Sequence, residues 1–188
     1  QRNRLLNEGI QEFFRLPKNP RLETLGDCGA YSYKDEDEPP FGAEDAFDFY
    51  QECGFDYGLS VDHIIEGVNL AFDVTIPIPG MDSDIEKFIE RQEITKQLAL
   101  EFKNLCDSRQ TNFEPVGVAQ GWSPKTYASA VKDLQSMGYS TVALGGLNRE
   151  KTTVILAILR AVYDILAPDT GIHLLGVTRI DSMAEFSR

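Results

Sequence analysis

Apolar residues at helical spacing, Leu5, Leu6, Ile10, Phe13 and Phe14, predict an opening helix over residues 2–15, which Pro17 and Pro20 bring to an end. A turn-rich apolar stretch from Thr24 to Tyr33 follows, with a strand expected to end near Asp27, and then an acidic loop closed by Pro39 and Pro40. Ala46, Phe47, Phe49 and Tyr50 share one face of a helix over residues 43–53 that Gly54 stops. Residues 57–61 read as a short buried strand that delivers Asp62 and His63 at its end. Asn69 to Met81, with Pro77 and Pro79, reads as an irregular loop, after which Ser83 is expected to cap a long helix to about Ser108.

The second half repeats the alternation more plainly. Pro115 to Ala119 is a strand ending at Gln120-Gly121-Trp122, and Ser123-Pro124 pairs an N-cap with proline at the first helical position of a helix to Met137, stopped by Gly138. Thr141 to Leu144 is a strand ending at Gly145-Gly146. A helix is expected from Glu150 to Ala167, a strand from Ile172 to Leu175 ending at Gly176, and a further helix from Asp181. Successive strand-then-helix units with near-continuous apolar strands imply an α/β fold with a parallel sheet buried on both faces. No G-x-G-x-x-G follows a strand and no Walker sequence is present, which removes the main support for the nucleotide-binding doubly wound sheets. A doubly wound sheet and a (β/α)8 barrel both remain open, and the barrel is the favoured expectation. A complete one needs about 250 residues, so a single domain over 1–188, an incomplete barrel of five βα units lacking its C-terminal part, is the expectation.

Composition narrows the class. With 42% hydrophobic and 26% charged residues, the chain has the make-up of a globular domain rather than of a disordered segment. No apolar run is long enough to span a membrane and the first residues lack a secretory apolar region, so a cytoplasmic protein without membrane contact is expected. Asp and Glu number 30 against 18 Lys and Arg, a net charge of -12, which repels phosphate at long range unless basic residues gather locally. Cys28, Cys53 and Cys106, with His63 and His173, have no metal-ligand spacing, so free thiols and no metal are expected.

In a barrel, the ends of the strands converge on one rim, and here they carry Asp27, Asp62, Gln120, Gly145-Gly146 and Gly176. Carboxylates accept from the N–H groups of a planar heterocycle, a carboxamide or backbone N–H donates to its carbonyl, and glycine permits close approach. Each residue also has a plain structural reading: an Asp caps a turn, Gly-Gly makes one, Gln120 bonds a loop. His63 is either a general base or a packed, hydrogen-bonded histidine, and His173 reads as structural. Cys28 is either a nucleophile or a small buried filler. Tyr31 and Trp122 either stack on a ring or pack in the core.

Five short segments in order resemble the tRNA-guanine transglycosylases. Asp27-Cys28-Gly29-Ala30-Tyr31 is similar to their Asp-Ser-Gly-Gly-Phe, and Val61-Asp62-His63 to Phe-Asp-Glu. Gly117-Val118-Ala119-Gln120-Gly121 matches Gly-Ile-Val-Gln-Gly, Gly145-Gly146-Leu147 matches Gly-Gly-Leu, and Leu174-Leu175-Gly176-Val177 matches Leu-Met-Gly-Val. Cys28, Ala30 and His63 depart from the pattern. Together with Gly121-Trp122-Ser123 and the stretch from Tyr57 to Ile65, they resemble the DNA-acting, DpdA-like branch more than the tRNA branch.

The resemblance implies a (β/α)8 barrel and exchange of guanine in DNA, or alternatively tRNA, for a 7-deazaguanine. A nucleophilic carboxylate attacks the anomeric carbon, guanine leaves, and the incoming base attacks the covalent intermediate. Asp27 would be acid/base and a base-edge acceptor, and Asp62 would read the amino-pyrimidinone edge. Gln120, with Gly121 beside it, and the Gly146 N–H, after Gly145, would bind the carbonyl, and the Leu147 backbone would meet the deaza-ring substituent. The family's nucleophilic aspartate and zinc site follow the Leu-Met-Gly-Val strand. Neither has a counterpart between Gly176 and Arg188, so no cofactor is expected in this chain, zinc is expected in a downstream region, and the chain alone is expected to be inactive. A homodimer or partner subunits of a modification cluster are conceivable partners. A non-catalytic barrel subunit, and an unrelated lyase or hydrolase using Asp27 and Asp62, are the competing readings.

Overall fold

A computed structural model describes residues 2–73 and 82–186. Its elements in chain order are α1 (Arg2–Phe13), β1 (Leu25–Gly26), α2 (Ala43–Cys53), β2 (Tyr57–Leu59), α3 (Asp82–Ser108), β3 (Glu114–Ala119), α4 (Pro124–Ser136), β4 (Thr141–Leu144), α5 (Thr152–Tyr163), β5 (Gly171–Leu174) and α6 (Met183–Phe186). The strands pair in parallel in the order β1-β2-β3-β4-β5, each beside the next, in a curled half-barrel sheet. A doubly wound sheet reverses its strand order at a switch point. These five strands do not.

Parallel neighbours joined by right-handed crossovers put the helices on one face, and strand alternation shows which. On β3, Gly117 and Ala119 meet the helices: a Cβ on Gly117 would lie 3.0 Å from Leu134 and Tyr139. Val116 and Val118 face the other way and join Leu59 and Ala143 in a small cluster with Leu25, Tyr57 and Leu175. Against the helical face, Tyr127, Val131 and Leu134 of α4 and Ile155, Ile158 and Val162 of α5 form one core, and Phe47 and Tyr50 of α2 with Phe102 of α3 and Phe113 form a second. Gln120, the next inward position after Val118, is thereby aimed at the concave side.

Several boundaries differ from the pattern reading. The opening helix is kinked at Gly9, whose backbone leaves helical geometry at φ 73, and ends at Phe13. There α1 crosses α2 so closely that a Gly9 Cβ would lie 3.3 Å from the Cys53 carbonyl. Helix α3 already includes Asp82, so Ser83 lies inside it and not at its cap. The expected loop from Asn69 to Met81 contains a 3-10 turn, Leu70–Asp73, and its residues 74–81 fall outside the described residues. Helix α5 is shorter than expected, and the helix expected from Asp181 is a 3-10 turn, Ile180–Ser182, followed by the four residues of α6. His173, read as structural, is exposed on β5. By contrast Ser123 caps α4 as its sequence demands, its hydroxyl accepting from the Thr126 N–H at 3.3 Å. Among the described residues no helix is long and apolar enough to cross a membrane.

Candidate active site

Beyond β2 the chain keeps to the sheet by other means. Ser60 donates its N–H to the Val116 carbonyl and accepts the Val118 N–H on its hydroxyl, both at 2.9 Å. The extended segment that follows, from Ser60 to Ile65, is buried throughout, so its backbone polar groups need partners. Helix α3 supplies several: the Arg91 guanidinium donates to the Ile64 carbonyl at 2.8 Å and to the Lys34 carbonyl at 2.6 Å, and the Thr95 hydroxyl accepts the His63 N–H at 2.9 Å. These side chains hold Asp62 where it is. Pattern reading missed them, although polar Arg91 and Thr95 at helical spacing with the buried Ala99, Phe102 and Cys106 were a usable signal.

Asp62 is the centre of the arrangement and is 3% exposed. One carboxylate oxygen accepts the Cys28 thiol at 3.1 Å, and the other accepts Gln120 Nε2 at 2.6 Å. Gln120 Oε1 in turn accepts the Ile65 N–H at 3.2 Å, which fixes the amide so that its donor end faces Asp62. The Tyr33 hydroxyl donates to the Asp62 carbonyl at 2.9 Å and lies 3.2 Å from Cys28 Sγ. Thiol and phenol have one proton each, and both protons point at Asp62. Burial pushes the Asp62 carboxyl up to about 6, against the lowering effect of its Cys28 and Gln120 donors and with a smaller push from the Asp27 charge. Burial, followed by the Asp62 charge, also drives the Cys28 thiol well above its ordinary range, which favours the protonated thiol that donates to Asp62.

Glycine makes room for this packing. A Cβ on Gly145 would sit 2.2 Å from Gln120 Nε2, and one on Gly146 would sit 2.5 Å from the Ile65 carbonyl and 3.1 Å from Gln120 Oε1, at φ +75. The Tyr127 hydroxyl donates to the Gly145 carbonyl at 2.8 Å, and Gly121 leaves space for the Tyr127 ring and backbone. Cys28, Asp62, Gln120, Gly145 and Gly146, far apart in sequence, thus meet at one place. Leu147 is fully buried in the helical-face core, and Gly176, at φ +69, abuts Asn148.

The remaining candidates are not part of that hydrogen-bonded string. Asp27 is exposed and accepts the Gly29 N–H at 2.8 Å, just before the 3-10 turn Ala30–Tyr33. The His63 ring is buried, with Nε2 at 2.9 Å from the Glu36 carbonyl and its edge against Tyr33, and burial holds it below the ordinary histidine range. A neutral ring then carries its proton on Nε2, the atom that faces a carbonyl. Nδ1 has no partner. Trp122 lies 6.0 Å from Phe88 on α3, ring to ring, and Tyr31 is 46% exposed. Among the described residues no three His, Cys, Asp or Glu side chains come together to hold a metal ion.

Comparison with known proteins fits this geometry. No family model matches the chain. A DNA-guanine transglycosylase from Salmonella montevideo is 41% identical over 191 residues, covering 100% of this chain. Over its whole length the chain is thus similar to a guanine transglycosylase. It spans 43% of the length of that relative. The chain brings three of its five motif segments into one hydrogen-bonded string, Cys28 to Asp62 to Gln120, and packs a fourth, Gly145-Gly146, directly onto that string.

Proposed function

We propose that this chain is the guanine-binding part of a base-exchange transglycosylase, a pentosyltransferase that replaces guanine in DNA, in preference to tRNA, with a 7-deazaguanine. The five sequential parallel strands are, in this reading, part of a (β/α)8 barrel whose pocket lies on the concave side at the strand ends. The observation that carries it is the buried Asp62 carboxylate. Its two oxygens offer about four acceptor positions, of which Cys28 and Gln120 take two. Two acceptors side by side match the ring N–H and exocyclic amine of guanine. Adenine presents an acceptor at that ring nitrogen and does not match.

The second hydrogen of Gln120 Nε2 and the Gly146 N–H are the donors suited to the guanine carbonyl, and the Leu147 backbone would meet the deaza-ring substituent. Asp27, exposed and next to Cys28, would exchange a proton with the departing and incoming base. The attacking carboxylate of the superfamily has no counterpart among residues 176–188. The residues described do not make a zinc site, so no step runs through zinc. A guanine inside a duplex must be extruded to reach a carboxylate buried to this extent.

Calorimetry tests the reading. The chain is expected to bind guanine and a 7-deazaguanine, to bind adenine at least roughly tenfold more weakly, and to exchange no labelled guanine by itself. Equal affinity for adenine would remove the pocket assignment.

A further inference from the structure

Three loops meet beyond the strand ends that carry Asp62 and Gln120. Tyr31 and Lys34 follow Cys28, Glu66 follows Ile65, and Arg149 follows Gly146. The Arg149 guanidinium donates to the Tyr31 hydroxyl at 2.8 Å and lies 5.5 Å from the ring centroid, and Lys34 Nζ lies 4.9 Å from the same centroid. Glu66 stands between the two cations, with Oε2 at 3.0 Å from Lys34 Nζ and Oε1 at 3.7 Å from an Arg149 guanidinium nitrogen. Both cations are therefore already oriented, by one aromatic ring and one carboxylate, before any ligand arrives.

We propose that Lys34 and Arg149 form a phosphate site for the nucleic-acid strand that carries the target guanine, and that Glu66 occupies this site in the free protein until the phosphodiester displaces it. The proposal rests on the transglycosylase reading. It answers a difficulty which that reading leaves open: a chain of net charge -12 repels a polyanion unless cations are concentrated where the strand must pass. Lys34 and Arg149 come from the loops after β1 and β4, which lie on either side of the strand ends bearing Asp62 and Gln120. A phosphate held between them sits beside the mouth of the pocket. Arginine offers it a planar fork and lysine a point charge. Glu66, 40% exposed at its side chain, can turn out to water when replaced. The acidic run from Asp35 to Glu38 adjoins Lys34, so the site is a local pair of cations in an unfavourable field, and its contribution must fall steeply with salt.

The test uses a fluorescein-labelled single-stranded DNA 15-mer with a central guanine, its RNA counterpart, and fluorescence anisotropy across a salt series. Arg149→Gln and Lys34→Gln are each expected to weaken binding about fivefold at low salt and to flatten the log-log salt dependence by about 0.7 per cation removed. Glu66→Gln is expected to tighten binding by a similar factor, and Glu38→Gln, on the neighbouring acidic run, by clearly less. Equal tightening by Glu66→Gln and Glu38→Gln would reduce the effect to net charge and overturn the site, as would unchanged affinity in both cation variants or an absence of DNA binding by the wild type. Tighter binding of the RNA 15-mer than of DNA keeps the phosphate site and reassigns its strand. Guanine calorimetry on the same variants separates the two readings: unaltered base binding with unaltered DNA binding sinks only the phosphate site, whereas no guanine binding by the wild type sinks the transglycosylase reading.

Discussion

The Gln120 amide donates to the Asp62 carboxylate at 2.6 Å, and its other end is tied to the Ile65 N–H. This bond has a direction. Because Ile65 can only donate, Gln120 Oε1 must face it, Nε2 must face Asp62, and Asp62 must accept. A backbone N–H thereby sets the polarity of a buried carboxylate one side chain away.

Replacing Asp62 with Asn breaks that logic at its centre. Asparagine has one oxygen for two flanking donors, Cys28 and Gln120, so its amide nitrogen must meet a donor. Such a mismatch costs about 1 to 3 kcal/mol. Guanine affinity is expected to fall at least roughly tenfold in calorimetry, with a lower melting temperature at neutral pH.

The pH dependence of binding and of stability should run in opposite directions around the Asp62 value of about 6. Its value in the fold lies above the ordinary carboxylate value, so the fold favours the neutral form. Its contribution to stability is full below the ordinary value and is lost as pH rises through about 6. Guanine binding needs the charged acceptor and should increase over the same interval. Melts and calorimetry from about pH 5 to 8, each referenced to Asp62→Asn, should show the two trends crossing.

Gly145→Ala puts a methyl group where the Gln120 amide now lies, 2.2 Å from Nε2. The amide must move and release Asp62. Overpacking of this kind costs about 1 to 3 kcal/mol, read by urea denaturation, together with a loss of guanine affinity. Gly146→Ala should be worse, because the obstacle there is the Ile65 backbone carbonyl at 2.5 Å and the φ of +75 also disfavours a side chain.

Cys28 should react slowly with thiol reagents in the native state near pH 8, since burial and the neighbouring carboxylate keep it protonated. As a donor it is replaceable. Cys28→Ser keeps a proton for Asp62, and a hydroxyl is the stronger donor, so the Asp62 midpoint is expected to move below about 6. Cys28→Ala removes the donor and should move it up. Carboxyl NMR titration of Asp62 distinguishes the two.

The sequence by itself determined the kinds and order of the elements. Apolar periodicity, Ser123-Pro124, Gly54 and Gly138 are local signals, and local sterics and hydrogen bonding suffice to read them. It also carried the short strand-end motifs, because a parallel sheet puts the ends of its strands on one rim whatever the intervening sequence. Only the tertiary structure decided which of those residues touch. Cys28 and Asp62 are 34 positions apart, and Asp62 and Gln120 are 58 apart, and no periodicity encodes a pairing across crossovers of unequal length. The same holds for His63, whose ring is turned to the Glu36 carbonyl by packing against Tyr33, and for Trp122, which Phe88 of α3 takes up. Arg149 and Tyr31, 118 positions apart, meet because β1 and β4, separated by β2 and β3, belong to a sheet that curls. That closeness is a property of the curl and not of either loop.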